Sequence, residues 1–381
     1  MLRIGVNTRL LIKDQLDGIG WYQYEVLKRI TKANPSHLFI FFFDRKFDPS
    51  FVFEENVVPV VLRPQARHPI LFKFWFNHVI RKALTKYKID VFFSPDGYIC
   101  LNTNVPQVGT FHDLNFEHFS KDLRPSHSRY YRSQFPLFAK KSQHLITVSN
   151  FSKNDIIERY GVTAEKITVI YNGVNNNYCP IQKLVKDSCR NKYSAGAPFF
   201  LHVGSLHSRK NIVRLIEAFN TFKKKSRSNT KLILAGNKYD WTPAMEDALN
   251  SSGYKDEIIL TGRIYQADLI ELMGSALALT YVSYFEGFGL PVLEAMRSGT
   301  PVITSDCTSI PEVAGGAALM IDPFKVDAIA EAMSKVEASQ ELRLELIDKG
   351  KKQVALFNWD RCAEETWKVI ENTHKNATIK P

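Results

Sequence analysis

The sequence predicts an α/β protein built from two doubly wound domains, each organised on a mostly parallel sheet. Short apolar runs of strand length alternate with helical patterns along the whole chain. Several of these runs end in a glycine that directly precedes a helix. The length of 381 residues suits two domains of ordinary size. Because the alternation restarts in the second half of the chain, we expect two sheets.

The composition is that of a soluble globular protein, with 45% hydrophobic and 23% charged residues. No apolar run approaches the roughly 20 residues needed to cross a bilayer, and residues 1–6 are predicted to form a first strand rather than a signal peptide. The formal charge of +11 favours an anionic partner, such as a nucleotide, an anionic lipid surface or nucleic acid. The five cysteines lack metal-type spacing, and we expect free thiols in a reducing compartment: Cys100, Cys179, Cys189, Cys307 and Cys362.

The first domain is predicted to cover residues 1–175. Its predicted strands are 2–6, 37–43, 90–94, 105–111, 144–149 and 166–170. Gly18 and Gly20 precede a predicted helix at 21–30, where a glycine loop can admit a phosphate closely and a plain turn fits equally well. His112 directly follows a strand, at the end of the sheet where ligands bind in open α/β folds. The position of His112 fits equally well a histidine that only forms hydrogen bonds within the loop.

Residues 176–198 are polar and contain Pro180 and Pro198 without clear periodicity, so we predict a linker between the domains there. The second domain is predicted at 199–356, and its strands are 199–203, 231–236, 257–262, 276–282, 301–305 and 318–322. The last segment, 357–381, begins with a helical pattern that carries two tryptophans, and we expect the chain after Asn372 to be frayed.

Two adjacent cations, Arg209 and Lys210, follow the strand that ends at Gly204 and precede a predicted helix at 212–219. Cations at the start of a helix are electrostatically unfavourable unless an anion binds there. The pair is therefore predicted to neutralise a diphosphate. The alternative is a pair of basic residues that only solvate the start of the helix.

The segment 281–294 combines a strand end, a glycine loop and a helix start, and the rest of the chain is organised around it. Gly287 and Gly289 permit tight turns, and Pro291 suits the first helical turn. Exposed N–H groups and the helix dipole make this start a site for an anion. Glu286 lies in the loop and Glu294 about 6 Å into the helix, a layout that fits a nucleotide sugar. The alternative is an ordinary strand–loop–helix with two surface glutamates. The predicted N–H donors are those of Phe288, Gly289 and Leu290.

Residues 63–88 contain seven Lys and Arg, two His and no acid. Two interpretations of this segment stay open. It forms either a core-packed helix with a solvated basic face, or a helix that rests on an anionic membrane near a lipid-linked acceptor. Its apolar residues recur at helical spacing: Phe72, Trp75, Phe76, Val79, Ile80, Ala83, Leu84 and Tyr87.

In their order along the chain, these motifs make the sequence resemble a retaining glycosyltransferase of family four. The most specific motif is the pair Glu286 and Glu294, separated by seven residues. The resemblance implies the GT-B fold, with two Rossmann-like domains facing a central cleft. Residues 1–175 would be the acceptor-side domain, residues 199–356 the nucleotide-sugar-binding domain, and residues 357–381 a C-terminal helix that crosses back to the first domain. Gly18-Ile-Gly20 and His112-Asp-Leu114 are typical of a branch that includes bacterial mannosyltransferases of surface polysaccharide assembly. The other motifs are Gly204 with Arg209-Lys210-Asn211, Thr147-Val-Ser-Asn-Phe-Ser152 and Ile170-Tyr-Asn-Gly-Val174.

The resemblance also implies roles for individual residues. Arg209 and Lys210 would hold the donor diphosphate, Glu294 the ribose and Glu286 a hydroxyl of the donor sugar, with His112 beside that sugar. Catalytic roles would fall on His112, Arg209, Lys210 and Glu286. Arg263 and Ile264 would line the pocket for the nucleotide base. The implied donor-binding residues are Gly18, Gly20, Gly204, Arg209, Lys210, Gly236, Arg263, Ile264, Glu286, Gly287, Phe288, Gly289, Leu290 and Glu294.

One position departs from the family, because Ser205 stands where many members carry Arg after this glycine. The diphosphate contact would then depend more strongly on Arg209 and Lys210. No Asp-x-Asp motif occurs in the sequence. We therefore expect catalysis without a metal ion or other cofactor, with the two cations and helix N-termini stabilising the leaving diphosphate.

The function implied is transfer of a hexose from a nucleotide-diphosphate sugar to a polysaccharide or lipid-linked glycan, with retention through front-side attack. GDP-mannose is the first choice of donor, and a UDP-sugar is the alternative. We expect a cytoplasmic protein, with the inner face of the cytoplasmic membrane as a candidate contact for residues 63–88.

Rival functions fit the sequence less well. An enzyme like glycogen synthase or sucrose synthase shares the fold and the glutamate pair, but the chain is short for one, and the basic aromatic segment suits a membrane-side acceptor better. A glycoside hydrolase would also use two carboxylates but would need neither the cation pair nor the glycine loops. The basic residues are dispersed and no helix-turn-helix stands out, so nucleic acid is not an expected partner. A non-enzymatic anion or nucleic-acid binder is the remote alternative.

Overall fold

A computed structural model describes residues 1–238 and 240–379 of the chain. The chain divides into two compact units, one formed by residues 1–173 with the chain from Asn358 onward, and the other by Val174–Phe357. Each unit contains a fully parallel sheet with helices packed on it. The predicted fold class of two doubly wound α/β domains is therefore confirmed.

The first unit is built on seven strands: β1 Arg3–Asn7, β2 Leu38–Phe43, β3 Val57–Val61, β4 Val91–Ser94, β5 Gln107–Phe111, β6 His144–Thr147 and β7 Ile167–Val169. Their order in the sheet is β3-β2-β1-β4-β5-β6-β7. β1 pairs with β2 on one side and with β4 on the other, so the strand order reverses there. β2 is apolar throughout because both of its faces are buried.

The helices of the first unit up to residue 173 are α1 Gly18–Ala33, α2 Pro69–Phe74, α3 Arg81–Lys86, α4 Asn115–His118, α5 Pro125–Lys141 and α6 Asn150–Tyr160. Short 3-10 turns lie at Pro49–Phe51, Ser120–Asp122 and Ala164–Lys166. Helix α6 begins after Ser149, whose hydroxyl accepts a hydrogen bond from the backbone N–H of Ser152 at 3.1 Å.

The basic segment 63–88 forms α2 and α3, which are joined by π-helical turns at Trp75–Ile80. Its apolar stripe lies mainly in the core, where Trp75 and Phe76 are buried and the Trp75 Nε1 donates to the carbonyl of Leu62 at 2.9 Å. The interpretation of this stripe as a core-packed face is therefore confirmed. On the outer face, Ile70 is 73% exposed and Phe74 45% exposed, beside the basic side chains.

The second unit is built on six strands: β8 Phe199–Val203, β9 Lys231–Ala235, β10 Ile258–Gly262, β11 Ala278–Tyr281, β12 Val302–Ser305 and β13 Leu319–Ile321. Their order is β10-β9-β8-β11-β12-β13. The helices are α7 Lys183–Ser194, α8 Ile212–Ser226, α9 Pro243–Asn250, α10 Gln266–Ser275, α11 Leu290–Arg297, α12 Ile310–Ala314, α13 Val326–Ala338 and α14 Gln340–Val354, with 3-10 turns at Ser208–Lys210 and Lys255–Glu257.

The segment predicted as a linker, 176–198, has a different structure. It contains α7, which packs against α10 within the second unit. Cys189 and Ser194 of α7 are buried, and the Arg190 Nε donates to the carbonyl of Ser275 at 3.1 Å. The helix is held by a narrow buried face, and its largely polar composition hid that face in the sequence.

The C-terminal helix, α15 Trp359–Ile379, belongs to the first unit and packs against α1. An ion pair joins the two helices, with the Arg29 Nε 2.5 Å from the Asp360 Oδ1. The expectation of a frayed chain after Asn372 is wrong as far as residue 379, because the helix continues and Thr373 is buried. Residues 380 and 381 lie outside the described residues.

Two further findings concern membranes and thiols. Over residues 1–238 and 240–379, no helix combines the length and the apolar character needed to cross a bilayer. All five cysteines have free thiols, as the sequence predicts.

Candidate functional site

The sheet of the second unit reverses its strand order between β8 and β11, since β8 pairs with β9 on one side and β11 on the other. Loops that leave the carboxyl ends of such strands form the usual ligand site of a doubly wound sheet. The loop after β8 carries Arg209 and Lys210, and the loop after β11 carries Glu286. The topology therefore brings the two predicted motifs together from positions about 75 residues apart.

Arg209, Lys210 and Glu286 form an ion triad in which Lys210 and Glu286 are buried and Arg209 is partly exposed. The Arg209 Nη1 lies 2.7 Å from the Glu286 Oε2, and the Lys210 Nζ lies 2.5 Å from the Oε1. Burial alone would raise the pKa of Glu286, but the charges of Arg209 and Lys210 outweigh it and hold that pKa well below its usual range. The triad thus keeps a net positive charge, which suits an anionic ligand.

Two aromatic residues support the triad from beneath. The Lys210 Nζ donates to the hydroxyl of Tyr281 at 2.5 Å, and the ring of Tyr281 stacks on His202 at a centroid distance of 5.9 Å. Burial and the nearby Lys210 charge lower the pKa of His202 to about 4, so this ring is neutral at physiological pH. The pKa of His207 falls to about 3 through burial and the charges of Arg209 and Lys210. No motif in the sequence points to His202 or His207, and Tyr281 was predicted only as part of the strand that leads into the segment 281–294.

The loop that carries Glu286 is fixed by the chain after β12. The backbone N–H of Glu286 donates to the Thr308 Oγ1 at 3.3 Å. The Ser309 Oγ lies 2.8 Å from the carbonyl oxygen of Glu286 and 3.1 Å from that of Phe288. Gly289 then adopts a φ of +108°, which favours glycine, and α11 begins at the next residue with Pro291 in its first turn. The predicted glycine loop and helix start are therefore present, with Gly287 between these supports.

Glu294 lies one turn into α11 and forms a second feature of the site. Its carboxylate accepts a hydrogen bond from the hydroxyl of Tyr178, which is buried. Burial raises the pKa of Glu294 to about 7, although the bond from Tyr178 favours the charged form. A partly buried carboxyl group close to its titration point can accept hydrogen bonds from ligand hydroxyls once it is ionised. Tyr178 was missed because it lies in the segment predicted as a linker.

Two glycines allow the strand ends to approach closely. A Cβ on Gly236 would lie 1.9 Å from the carbonyl oxygen of Gly204, so the loops after β9 and β8 touch through backbone alone. Gly236 also bridges to Gly262 at the end of β10. Arg263 and Ile264 follow directly, at the same edge of the sheet. The predicted residues of the second unit therefore share one edge, and their contacts with a donor stay predictions.

The remaining predicted residues lie in the first unit. The His112 Nε2 lies 2.8 Å from the carbonyl oxygen of Pro95. A carbonyl only accepts, so Nε2 carries the proton and, in the neutral ring, Nδ1 is left as an acceptor. Burial lowers the pKa of His112, which favours that neutral form.

Gly18 and Gly20 open α1, where the N–H of Gly20 donates to the Asp17 Oδ1 at 2.9 Å. The same helix carries Tyr22, whose ring meets that of His112 edge-on at 4.9 Å. The first unit therefore brings the glycine loop and His112 to one region.

Within the part of the chain that the structure describes, no group of three or more His, Cys, Asp or Glu residues is arranged to hold a metal ion.

Two family models match the chain. The model for Glycosyltransferase Family 4 matches residues 16–178, and the model for Glycosyl transferases group 1 matches residues 186–353. The chain is similar to the O-antigen chain mannosyltransferase B of Escherichia coli, with 30% identity over 371 residues, covering 93% of this chain and 96% of that protein.

Solved structures resemble the whole chain. Sucrose-phosphate synthase from Thermosynechococcus elongatus superimposes with a TM-score of 0.80 at 20% identity, over 98% of this chain and 99% of that one. The Anabaena protein HepE, solved in complex with UDP-glucose, gives a TM-score of 0.77 at 17% identity, over 98% of this chain and 100% of that one. At these identities the likeness concerns the fold.

Proposed function

The chain belongs to glycosyltransferase family 4, and we propose that it transfers mannose from GDP-mannose to a growing bacterial surface glycan, with retention of configuration and without a metal ion. Membership makes it a glycosyltransferase. The choice of mannose and of an O-antigen-type or lipid-linked acceptor is supported by the similarity to an O-antigen chain mannosyltransferase over nearly the whole chain.

The observation that carries the proposal is the ion triad at the carboxyl ends of β8 and β11. Breaking a glycosyl–phosphate bond places negative charge on the departing diphosphate. Arg209 and Lys210 are already fixed by Glu286 and Tyr281, so they would stabilise that charge without reorganising. Because Lys210 is buried, its charge acts more strongly there than it would in solution.

The other groups of the site fit the two ends of the donor. Glu294, one turn into α11, would accept hydrogen bonds from the ribose hydroxyls when ionised. Glu286 would contact a hydroxyl of the sugar from the opposite side of the diphosphate. The assignments of Gly20 and His112 to the donor come from the family resemblance and stay predictions.

The proposed reaction needs no protein nucleophile. The acceptor hydroxyl attacks the anomeric carbon from the side that the diphosphate leaves, and a departing phosphate oxygen takes the hydroxyl proton. The C–O bond to the diphosphate breaks as the new glycosidic bond forms. Metal independence is proposed because the sequence lacks an Asp-x-Asp motif and two cations already face the leaving group.

The test combines donor binding and turnover. Purified protein is titrated calorimetrically with GDP-mannose and UDP-glucose, and release of GDP or UDP is followed with and without EDTA. We expect GDP-mannose to bind and react with or without the chelator. Absence of binding by any nucleotide sugar would refute the function, and activity lost in EDTA and restored by manganese would refute metal independence.

A UDP-sugar donor is the second candidate, and the whole-chain likeness to a structure bound to UDP-glucose favours it. A thermal-shift panel of GDP, UDP and their sugars separates the two donors, because a ligand of the native state raises the melting temperature. A larger shift with UDP-glucose than with GDP-mannose would replace mannose as the proposed sugar.

We also propose a cytoplasmic protein that contacts the inner face of the cytoplasmic membrane through α2. Since the apolar stripe of 63–88 lies in the core, the contact is limited to Ile70 and Phe74 with the surrounding Arg67 and Lys73. Flotation with vesicles rich in anionic lipid should recover the wild-type protein and lose the double variant Ile70→Ser, Phe74→Ser. Equal recovery of both proteins, or no effect of salt on recovery, would exclude this surface.

A further inference from the structure

A cavity of about 490 Å³ lies in the second unit, at the end of its sheet opposite the ion triad. Three cationic side chains line it: Lys186 and Arg190 from α7, and Arg343 from α14. We propose that this cavity is a second ligand site, which binds a small sugar phosphate through its phosphate group. The inference goes beyond the proposed function, because the cavity lies apart from the groups assigned to that reaction.

The cavity lies at the amino ends of the strands. Pro198, Leu277 and Pro301 line it, and they directly precede β8, β11 and β12. Arg209 and Glu286 follow the opposite ends of β8 and β11. Since β8 has five residues, a rise of about 3.3 Å per residue separates the two places by about 16 Å. A bound sugar phosphate would therefore occupy the cavity without reaching the triad.

The three cations of the cavity lack an acidic partner. Within residues 1–238 and 240–379, no ion pair joins Lys186, Arg190 or Arg343 to a carboxylate. Burial and the charges of Arg190 and Arg343 lower the pKa of Lys186, and the exposed Asp187 offsets this only in part. Like charges gathered in a partly buried cavity repel each other, and a bound anion would remove that repulsion.

The two arginines are held in place by backbone carbonyls. The Arg190 Nε donates to the carbonyl of Ser275 at 3.1 Å. The Arg343 Nη1 donates to the carbonyls of Val336 and Glu337 at 2.6 and 2.8 Å, at the end of α13. These bonds fix both guanidinium groups and leave their positive charge without a counter-ion. Guanidinium groups fixed in this way suit the oxygens of a phosphate.

The rest of the lining indicates a sugar phosphate rather than a bare anion. Its acidic residue is Glu337, whose Oε1 accepts hydrogen bonds from the hydroxyls of Ser228 and Thr230. The side-chain amides of Asn229 and Gln340 also line the cavity. A carboxylate repels a second anion but accepts hydrogen bonds from hydroxyls, and amides both donate and accept. The volume is also in the range of small-molecule sites, so phosphate on the cations leaves room for a sugar on these groups.

The binding test compares Lys186→Gln with Lys183→Gln, a matched control at an exposed lysine of the same helix. Both changes are made in Lys210→Ala protein, the parent, in which anion binding at the triad is weakened. Calorimetry with mannose 6-phosphate should show binding to the parent and to Lys183→Gln. Binding to Lys186→Gln should be about tenfold weaker, because one of the three cations is gone.

Two outcomes of this titration would overturn the site. They are equal affinities of Lys186→Gln and Lys183→Gln for mannose 6-phosphate, and no binding of it by the parent. Inorganic phosphate should bind the parent at least tenfold more weakly than mannose 6-phosphate, because it leaves the amides and Glu337 without ligand hydroxyls. Equal affinities for the two ligands would overturn the assignment to a sugar phosphate.

Melting temperatures without ligand separate this site from a structural role of Lys186. Lys186→Gln should melt at a higher temperature than the parent in low salt, because the repulsion from Arg190 and Arg343 is removed. A lower melting temperature would show that the fold itself needs Lys186 and would overturn the inference. None of these measurements uses a nucleotide sugar, so failure of GDP-mannose to bind the wild type refutes only the proposed function.

Discussion

Replacing Glu294 by Gln should stabilise the protein at alkaline pH while weakening its binding of the donor. Burial raises the pKa of Glu294 from 4.5 to about 7, so the folded protein disfavours the charged carboxylate. Between pH 4.5 and about pH 7 the Glu294 carboxyl binds its proton more tightly in the folded protein than in the unfolded chain. The free energy of unfolding therefore falls as the pH rises through this range. Glutamine has the same shape, carries no charge and can still accept a hydrogen bond from Tyr178.

The magnitude follows from the two pKa values. A carboxyl group that titrates at 4.5 when unfolded and at about 7 when folded lowers stability by about 3.4 kcal/mol well above pH 7. Because the Glu294 side chain keeps partial contact with solvent, we expect Gln to gain about 2 kcal/mol at pH 8. At pH 5 the gain should shrink to about a quarter of that value, since native Glu294 is then already protonated.

Urea titrations at pH 5 and pH 8, followed by circular dichroism, measure the difference. Glu217→Gln is the matched control, because Glu217 is an exposed glutamate on α8 of the same unit. Calorimetry with GDP on the same proteins should show weaker binding only for Glu294→Gln. If Glu294→Gln were no more stable than the wild type at pH 8, burial would not disfavour the charged Glu294 carboxylate, and the reasoning would be wrong.

Three further predictions concern Glu294, Lys210 and His112. GDP should bind the wild type about tenfold more weakly at pH 6 than at pH 8, because the ionised Glu294 carboxylate accepts from the ribose hydroxyls more strongly than the protonated group does; Glu294→Gln should lack this pH dependence in calorimetry. Lys210→Ala should lower kcat about a hundredfold, whereas the exposed-site control Lys238→Ala should leave kcat unchanged; equal kcat values would remove Lys210 from the mechanism. His112→Ala should lower kcat even where circular dichroism shows that the variant is folded at the assay temperature, and its melting temperature should fall because the Pro95 carbonyl loses its donor. Because burial lowers the His112 pKa, wild-type kcat should not fall between pH 8 and pH 7 through this group.

Local signals in the sequence were enough to predict the glycine loop and the helix at Leu290–Arg297. The conformational preferences of the glycines and of Pro291 specify that backbone. The strand β3 at Val57–Val61 was missed, since Pro59 argues against a strand; its place at the edge of the sheet tolerates proline. The polar composition of α7 led to the wrong prediction of a linker at 176–198, because packing against α10 decides the structure of this segment.

The contacts between the residues of the candidate site were harder to predict than the residues themselves. Arg209, Lys210 and Glu286 each stood out by position, but their mutual ion pairs depend on loops from two strands meeting at one edge of the sheet. The bond from Tyr178 to Glu294 joins residues more than 100 positions apart, and no local pattern carries it. Sequence periodicity reports which face of an element is buried, and contacts between distant loops need the sheet order as well.

Glu286 has two effects that substitution can separate. In the protein without donor, its carboxylate holds Arg209 and Lys210 at 2.7 and 2.5 Å and offsets the repulsion between them. A bound diphosphate offers negative charge to the same two cations, so it competes with Glu286 for them. Glu286→Gln should therefore bind GDP at least as tightly as the wild type, because the competing charge is gone.

Turnover should respond in the opposite direction. Without the carboxylate, Arg209 and Lys210 lose the partner that fixes their position, and kcat should fall about a hundredfold. Calorimetry with GDP and release of GDP from GDP-mannose measure the two effects on one sample. GDP affinity that fell tenfold or more in Glu286→Gln would mean that the carboxylate supports the diphosphate contact rather than competing with it, and the electrostatic account of the triad would need to be reversed.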